Sequence, residues 1–300
     1  MSADRRGDDH VRLAISGAGR AFERLYQPAL ARSRRMRLLA IADPLPARAA
    51  LAGPAVRQYA GLGELLAAEE VDAVLVLTPA RQHTTDVLLA LECGHPTLAE
   101  KPICLEPAEL ARLNDAGADR LLRPALSRRW WPAYQPVRLR AAGAERLAFG
   151  IRSDPRLWDP VTREIDIVSD LLPHGFDLAR WTTGADIVRV SASAGTTWAR
   201  ARLEMSGGQR FEVRASMRGV YLEVARVGDR TFHGGPPSTL ESGWRRLWRR
   251  PDPGIGAIVE MLDAWAGIVR GGPAGDFPAF ADGTAVAEAT WQFRQAARLG

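Results

Sequence analysis

Lysine is almost absent from this chain of 300 residues: forty positions are basic, and Lys101 is the one lysine among thirty-nine arginines. A guanidinium stays charged and forked, whereas an ammonium is compact and moves its pKa readily when desolvated. Position 101 is therefore either a chance break in an arginine-rich composition or a place where an ammonium is needed. Cysteine is scarce too. Cys93 and Cys104 are the only two, with no CxxC spacing, which excludes a disulfide framework and a cysteine metal site and points to a reducing compartment. No apolar run reaches the roughly eighteen residues of a membrane span. The polar start MSADRRGDDH lacks the apolar core of a signal peptide, so a cytoplasmic protein without membrane association is expected. No metal site is expected. No nucleic-acid motif accompanies the mixed Arg/Trp stretch GWRRLWRRPDPG (243–254), which reads as a loop or oligomer contact rather than a nucleic-acid surface. The net charge of +5 fits anionic ligands or a solvated arginine surface.

What is present is an alternation. Short apolar runs VRLAIS (11–16), MRLLAIAD (36–43), VDAVLVLTP (71–79) and HPTLAEKP (95–102) are separated by helical patterns such as LGELLAAEE (62–70) and HTTDVLLALECG (83–94). Strand–helix repetition of this kind predicts a doubly wound parallel sheet with helices on both faces. After Ala125 the pattern changes. A helix near 132–142, the strand RLAFGIRSD and a helix over 170–183 precede four crowded alternating runs, IVRVSAS, ARARLEM, RFEVRASM and VYLEVARV. These predict an open, mainly antiparallel sheet with one solvated face, and helices near 255–269 and 284–297 finish the chain. Two domains are expected, residues 1–125 and residues 126–300, giving an α/β domain followed by an α+β domain.

Gly17 and Gly19 follow the first strand and lead into a helix, the context of a dinucleotide-binding turn. The first glycine permits the tight turn, and the second lets a pyrophosphate approach backbone N–H groups at a helix N-terminus. The third position of the fingerprint is Phe22, and Pro28 should kink or restart the helix. Asp43, twenty-six residues beyond Gly17, stands where a carboxylate would bond the adenosine ribose. It favours NAD(H) over NADP(H), although Arg48 lies close by; a plain turn role before Pro44 is the alternative.

The stretch LAEKPICLEP (98–107) resembles the oxidoreductase family named after glucose–fructose oxidoreductase and inositol dehydrogenase, through Glu100, Lys101 and Pro102. TPARQH (78–83) is similar to that family's Thr-Pro…His loop, and RRWWP (128–132) to its Arg-aromatic-x-Pro segment. SDLLPHGFDLARWTTG (169–184) resembles its Asp-x-Gly-x-His-x-x-Asp segment, with Asp170, His174 and Asp177 in register, Leu172 in place of the glycine, and TREIDIV where glycines normally precede. The resemblance implies an N-terminal Rossmann domain. It also implies cofactor contacts from Gly17, Gly19, Arg20, Asp43, Thr78, Pro79, His83, Glu100 and Lys101, and a Lys101–Asp170–His174 trio beside the nicotinamide. A homodimer or homotetramer is implied as well.

The residues themselves suit that chemistry. Asp170 and His174 are four apart, so a helix places them on one face, and Pro173 requires that this be a first turn. Hydride transfer from a secondary alcohol needs a base for the hydroxyl proton and a donor for the oxygen. Histidine suits the first role and Lys101 the second, with Asp170 orienting the pair. Arg129, Trp130 and Asp177 are candidate substrate contacts, although Arg128 and Arg129 also read as a solvated pair. Trp130, Trp131 and Trp158 gather in this part of the chain and suggest a small-molecule substrate with an apolar or aromatic portion. The expected activity is NAD(P)-dependent oxidation or reduction at a secondary alcohol or ketone of a sugar, cyclitol or tailored metabolite. Imine reduction, net non-redox cofactor-assisted chemistry and non-catalytic nucleotide binding are the alternatives.

Overall fold

A computed structural model describes residues 10–153, 166–219, 221–234 and 253–298. Trp158 and most of the Arg/Trp stretch at 243–254 lie outside these residues. The chain divides into two compact units: the first comprises Met1–Glu100, Ala108–Ala125 and Ile258–Phe280, and the second Lys101–Pro107, Leu126–Ala257 and Ala281–Gly300. One division between the units falls between Ala125 and Leu126, and two further segments change sides. Lys101 and the residues to Pro107 go with the second unit, and most of a C-terminal helix goes with the first.

The first unit is built on six parallel strands: β1 (Val11–Ser16), β2 (Met36–Ala42), β3 (Arg57–Tyr59), β4 (Ala73–Val76), β5 (Thr97–Ala99) and β6 (Leu122–Pro124), in spatial order β3-β2-β1-β4-β5-β6. β4 and β5 are buried at every position, and β1 at all but Arg12. Continuous apolar runs of this kind belong to parallel strands covered on both faces. The order reverses between β1 and β4, the place where such sheets bind ligands outside the carboxyl ends of their strands. β3 and β6 have only three residues each, too short to stand out as apolar runs.

After β1 the chain enters a helical stretch whose centre, Phe22–Tyr26, is a π-turn closed by the Gln27 N–H on the Phe22 carbonyl. A fresh α-turn, Gln27–Leu30, then places Pro28 in its opening positions, where a missing N–H costs no helical hydrogen bond. The restart expected at Pro28 takes this form, and the Phe22 ring is fully buried.

The second unit carries a six-stranded sheet of β7 (Arg146–Arg152), β8 (Ile187–Gly195), β9 (Trp198–Met205), β10 (Arg210–Ser216), β11 (Leu222–Val227) and β12 (Arg230–His233), in order β12-β11-β7-β10-β9-β8. Every pairing is antiparallel except β7 with β10. Burial alternates residue by residue along β9 and β10, so one face is packed and the other is not. The packed face meets the Leu172–Thr183 helix, which lies against β7 and β10. Gly175 permits that approach: a Cβ there would stand 2.3 Å from Val213 Cγ1 and 3.1 Å from Phe149 Cδ1.

Candidate active site

The expected continuous helix over 170–183 is two helical pieces. Asp166 caps the first, Ile167–Asp170, by accepting the N–H groups of Val168 and Ser169 at 2.8 and 3.1 Å. The second, Leu172–Thr183, begins after Leu171, with Pro173 in its opening turn. Proline lacks the N–H that would continue the first piece, so the break falls where the sequence requires a helix start. Asp170 therefore sits at the end of one turn and His174 at the beginning of the next.

Lys101 completes the group. Its Nζ donates to Asp170 Oδ1 and to the Asp170 backbone carbonyl, each at 2.8 Å, with 13% of the lysine side chain exposed and 30% of the aspartate. The Lys101–Pro102 peptide is cis. His174 is buried, and its pKa is held well below the ordinary histidine value. Burial is the main cause; the charges of Arg128 and Lys101 add to it. A cation there would be desolvated and repelled by two others, so the imidazole is neutral. A neutral imidazole can take a proton, and a clamped ammonium can donate to an oxygen.

Around this group lie two buried ion-pair systems that the chain's arginine runs do not reveal. Arg129 binds Asp177 with Nε at 3.1 and 3.2 Å and Nη2 at 2.6 Å, and also reaches Asp282 at 3.2 Å. Arg180 shares Asp282 at 2.7 Å. Arg128 donates to Glu223 at 2.6 Å, and Glu223, wholly buried, also accepts from the hydroxyls of Tyr134, at 2.6 Å, and Tyr221. Arg128 and Arg129 are therefore not a solvated pair. A buried carboxylate needs a cation and further donors to offset its desolvation, and two adjacent arginines supply two such carboxylates. Arg129 and Asp177, expected as substrate contacts, have each other as partners. Trp131 also departs from expectation: it is 7% exposed and stacks on Tyr134 in the core, ring centroids 6.1 Å apart. Trp130 packs half-buried against the same core.

Most of the residues expected to contact a dinucleotide lie in the first unit; Lys101 belongs to the second. Gly17 has φ +94°, and a Cβ on it would lie 2.7 Å from the Thr78 backbone nitrogen, so only glycine lets the turn close on the end of β4. A Cβ on Gly19 would meet nothing within 4 Å, which leaves that backbone open to a ligand. Asp43 is buried and ties the turn down: Oδ2 accepts the Ala18 N–H at 2.8 Å and Oδ1 the Leu45 N–H at 2.9 Å. The turn role is the one these two bonds show. His83 Nε2 lies 2.7 Å from the Thr78 carbonyl, and Pro79 precedes the Ala80–Glu92 helix as its cap. Glu100 accepts the Tyr26 hydroxyl at 2.7 Å. Arg20 lies 3.7 Å from Glu23 in a partly exposed pair. A close glycine turn, an open glycine and a carboxylate at the end of β2 fit a dinucleotide.

Sequence reasoning missed Asp86, Glu223 and Gly175. Glu223 is an acid between the apolar Leu222 and Val224, a readable signal, whereas Asp86 lies between Thr85 and Val87; Ser16 and Arg128, far away in sequence, are among their partners.

Residues 11–121 match the model of the oxidoreductase family with an NAD-binding Rossmann fold. An inositol 2-dehydrogenase of Corynebacterium glutamicum is 28% identical over 191 residues, 60% of this chain and 56% of that one. The rhizopine catabolism protein MocA of Rhizobium meliloti is 32% identical over 207 residues, 63% of each chain. The match therefore spans less than two thirds of either relative. Among solved structures, a myo-inositol 2-dehydrogenase from Lactobacillus plantarum superposes with a TM-score of 0.80 at 16% identity, covering 97% of this chain and 98% of that one; this likeness concerns the fold. Residues 11–121 thus resemble the glucose–fructose oxidoreductase/inositol dehydrogenase (Gfo/Idh/MocA) family of oxidoreductases. Among the described residues no helix is long and apolar enough to cross a membrane.

Proposed function

We propose that this protein is a dehydrogenase that moves a hydride between a nicotinamide dinucleotide and a secondary alcohol or ketone of a cyclitol, a sugar or a related metabolite. The carrying observation is the Lys101–Asp170 clamp beside a histidine held neutral. When bound, NAD supplies the hydride acceptor. The residues of the chain do the rest. His174 takes the hydroxyl proton of the alcohol, and Lys101 donates to the same oxygen as negative charge builds there. Asp170 orients the ammonium through two acceptors. In the reducing direction the same groups return the proton. The inositol dehydrogenases among the relatives support a polyol substrate.

NAD is the proposed cofactor over NADP, because Asp43, a buried carboxylate after β2, would disfavour the added negative charge of a 2′-phosphate bound nearby. We further propose a cytoplasmic homo-oligomer; light scattering on the purified protein tests the assembly. For the activity, the protein is titrated with NADH and NADPH while nicotinamide fluorescence is followed, then assayed for NADH production on inositols and aldoses. Tighter binding of NADH and turnover of at least one polyol are expected. Failure to bind either dinucleotide sinks the reading.

A further inference from the structure

The Ala80–Glu92 helix turns Val87, Ala90 and Leu91 into the first unit's core, and beside them, only 6% exposed, lies an acid, Asp86. An apolar residue is the ordinary choice at such a position. Asp86 Oδ2 accepts two hydroxyls, from Ser16 at 3.1 Å and from Thr78 at 2.8 Å. Ser16 is the last residue of β1, and Thr78 lies just beyond β4. Between them stands Gly17, whose missing Cβ lets the turn close on Thr78. The Leu77 N–H also reaches the Ser16 carbonyl, at 2.7 Å. One carboxylate oxygen thus braces the two strand ends at which the sheet order reverses, directly beneath the glycine turn.

We propose that Asp86 is a positioning residue of the dinucleotide turn, and that dinucleotide binding is coupled to proton uptake at its carboxyl. The proposal rests on the reading of that turn as the cofactor site. The brace fixes the Thr78 and Ser16 hydroxyl hydrogens inward, which sets the Thr78 backbone against Gly17. The cost is a desolvated charge: burial pushes the Asp86 carboxyl above its ordinary pKa, and the two hydroxyl donors and His83 offset this only in part. Among the described residues, His83 is the ionisable group whose charge acts on it. Asp43 and Glu100, at the same edge, are engaged by the Ala18 N–H and the Tyr26 hydroxyl. A pyrophosphate arriving at the adjoining turn adds negative charge nearby and raises the carboxyl's proton affinity further. The bound state then holds more protons than the free state, so affinity rises as pH falls through the titration of the bound-state carboxyl and levels off below that of free Asp86.

The test is a fluorescence titration with NADH on the full chain from about pH 4.5 to 8, for the wild type, Asp86→Asn and Asp86→Ala. The wild type should lose about tenfold in affinity as pH rises, one pKa unit of coupling. Asp86→Asn, which keeps an acceptor but no charge, should show a flat profile and bind at least as tightly as the wild type at high pH. Asp86→Ala should be flat and about tenfold weaker than Asp86→Asn. A wild-type profile without slope, an Asp86→Asn profile with the wild-type slope, or Asp86→Ala binding as well as Asp86→Asn overturns the proposal. If Asp86→Ala fails to fold, the Asp86→Asn slope decides alone. A wild type that binds no dinucleotide at any pH overturns the cofactor reading itself, which separates the two failures.

Discussion

Lys101 Nζ and Asp170 meet twice, at the carboxylate and at the backbone carbonyl, each contact 2.8 Å. A bond to the main chain fixes the ammonium relative to the helix start and not merely to a movable side chain. Arginine could keep the charge, but its planar fork is longer and cannot present a single point of charge to both acceptors. Lys101→Arg should lower kcat by about 10²–10⁴-fold, the range lost with a positioned proton-handling group, while the dissociation constant for NADH changes little. Steady-state kinetics set beside fluorescence titration checks this. Equal losses in both would refute the assignment.

His174 makes a signed prediction about pH. Burial, then Arg128, then Lys101 depress its pKa, so the base stays neutral below the ordinary value of about 6.5. The acidic limb of kcat/KM for alcohol oxidation should therefore fall below pH 6.5. Removing one of the repelling charges by Lys101→Met should move the limb of any residual activity upward. The same shift acts on stability with the opposite consequence. Below pH 6.5 the unfolded chain protonates this histidine and the folded one does not, so folding weakens as pH falls toward the depressed value. A His174→Gln variant should lose less stability between pH 7 and 5 than the wild type, as read by chemical denaturation.

Glu223 is fully buried, and Arg128 is its only cation among the described residues. Removing the guanidinium leaves a carboxylate held by two tyrosine hydroxyls alone. Arg128→Ala should therefore cost about 3–5 kcal/mol. The double variant Arg128→Ala/Glu223→Gln should recover part of that loss. Urea midpoints of the two proteins measure the difference, and no recovery would show that packing on Trp131, 5.2 Å from the guanidinium, matters more than charge.

Gly175 follows the proposed base, and the space for its missing Cβ is filled by Val213 and Phe149. Gly175→Ala should destabilise by about 1–3 kcal/mol through overpacking. It should also reduce kcat, since lifting the helix start off β7 and β10 displaces His174. Gly175→Ala/Val213→Ala opens the space and should restore stability and turnover together. Restored stability without turnover would separate Gly175 from the site.

Much of this was legible along the chain because it is local. Apolar runs of period two or none make the strands, Pro173 marks a helix start, and Gly17 marks a turn with positive φ; each depends on neighbours a few residues away. The Asp170–His174 spacing suggested one continuous helix, and the break at Leu171 divides it into two pieces. The exceptions are instructive. β3 and β6 are too short to carry a pattern, and the parallel pairing of β7 with β10 depends on which strands come to lie side by side.

The sequence by itself determined the alternating architecture and the glycine turn, because local sterics and periodicity admit few alternatives. Only the tertiary structure decided what the charges do. Arg128 with Glu223 and Arg129 with Asp177 are 95 and 48 residues apart, and Asp86 meets Ser16 across 70. Whether an arginine faces water or neutralises a buried acid depends on the dielectric around it and the partner within reach, and both arise only when distant segments pack together.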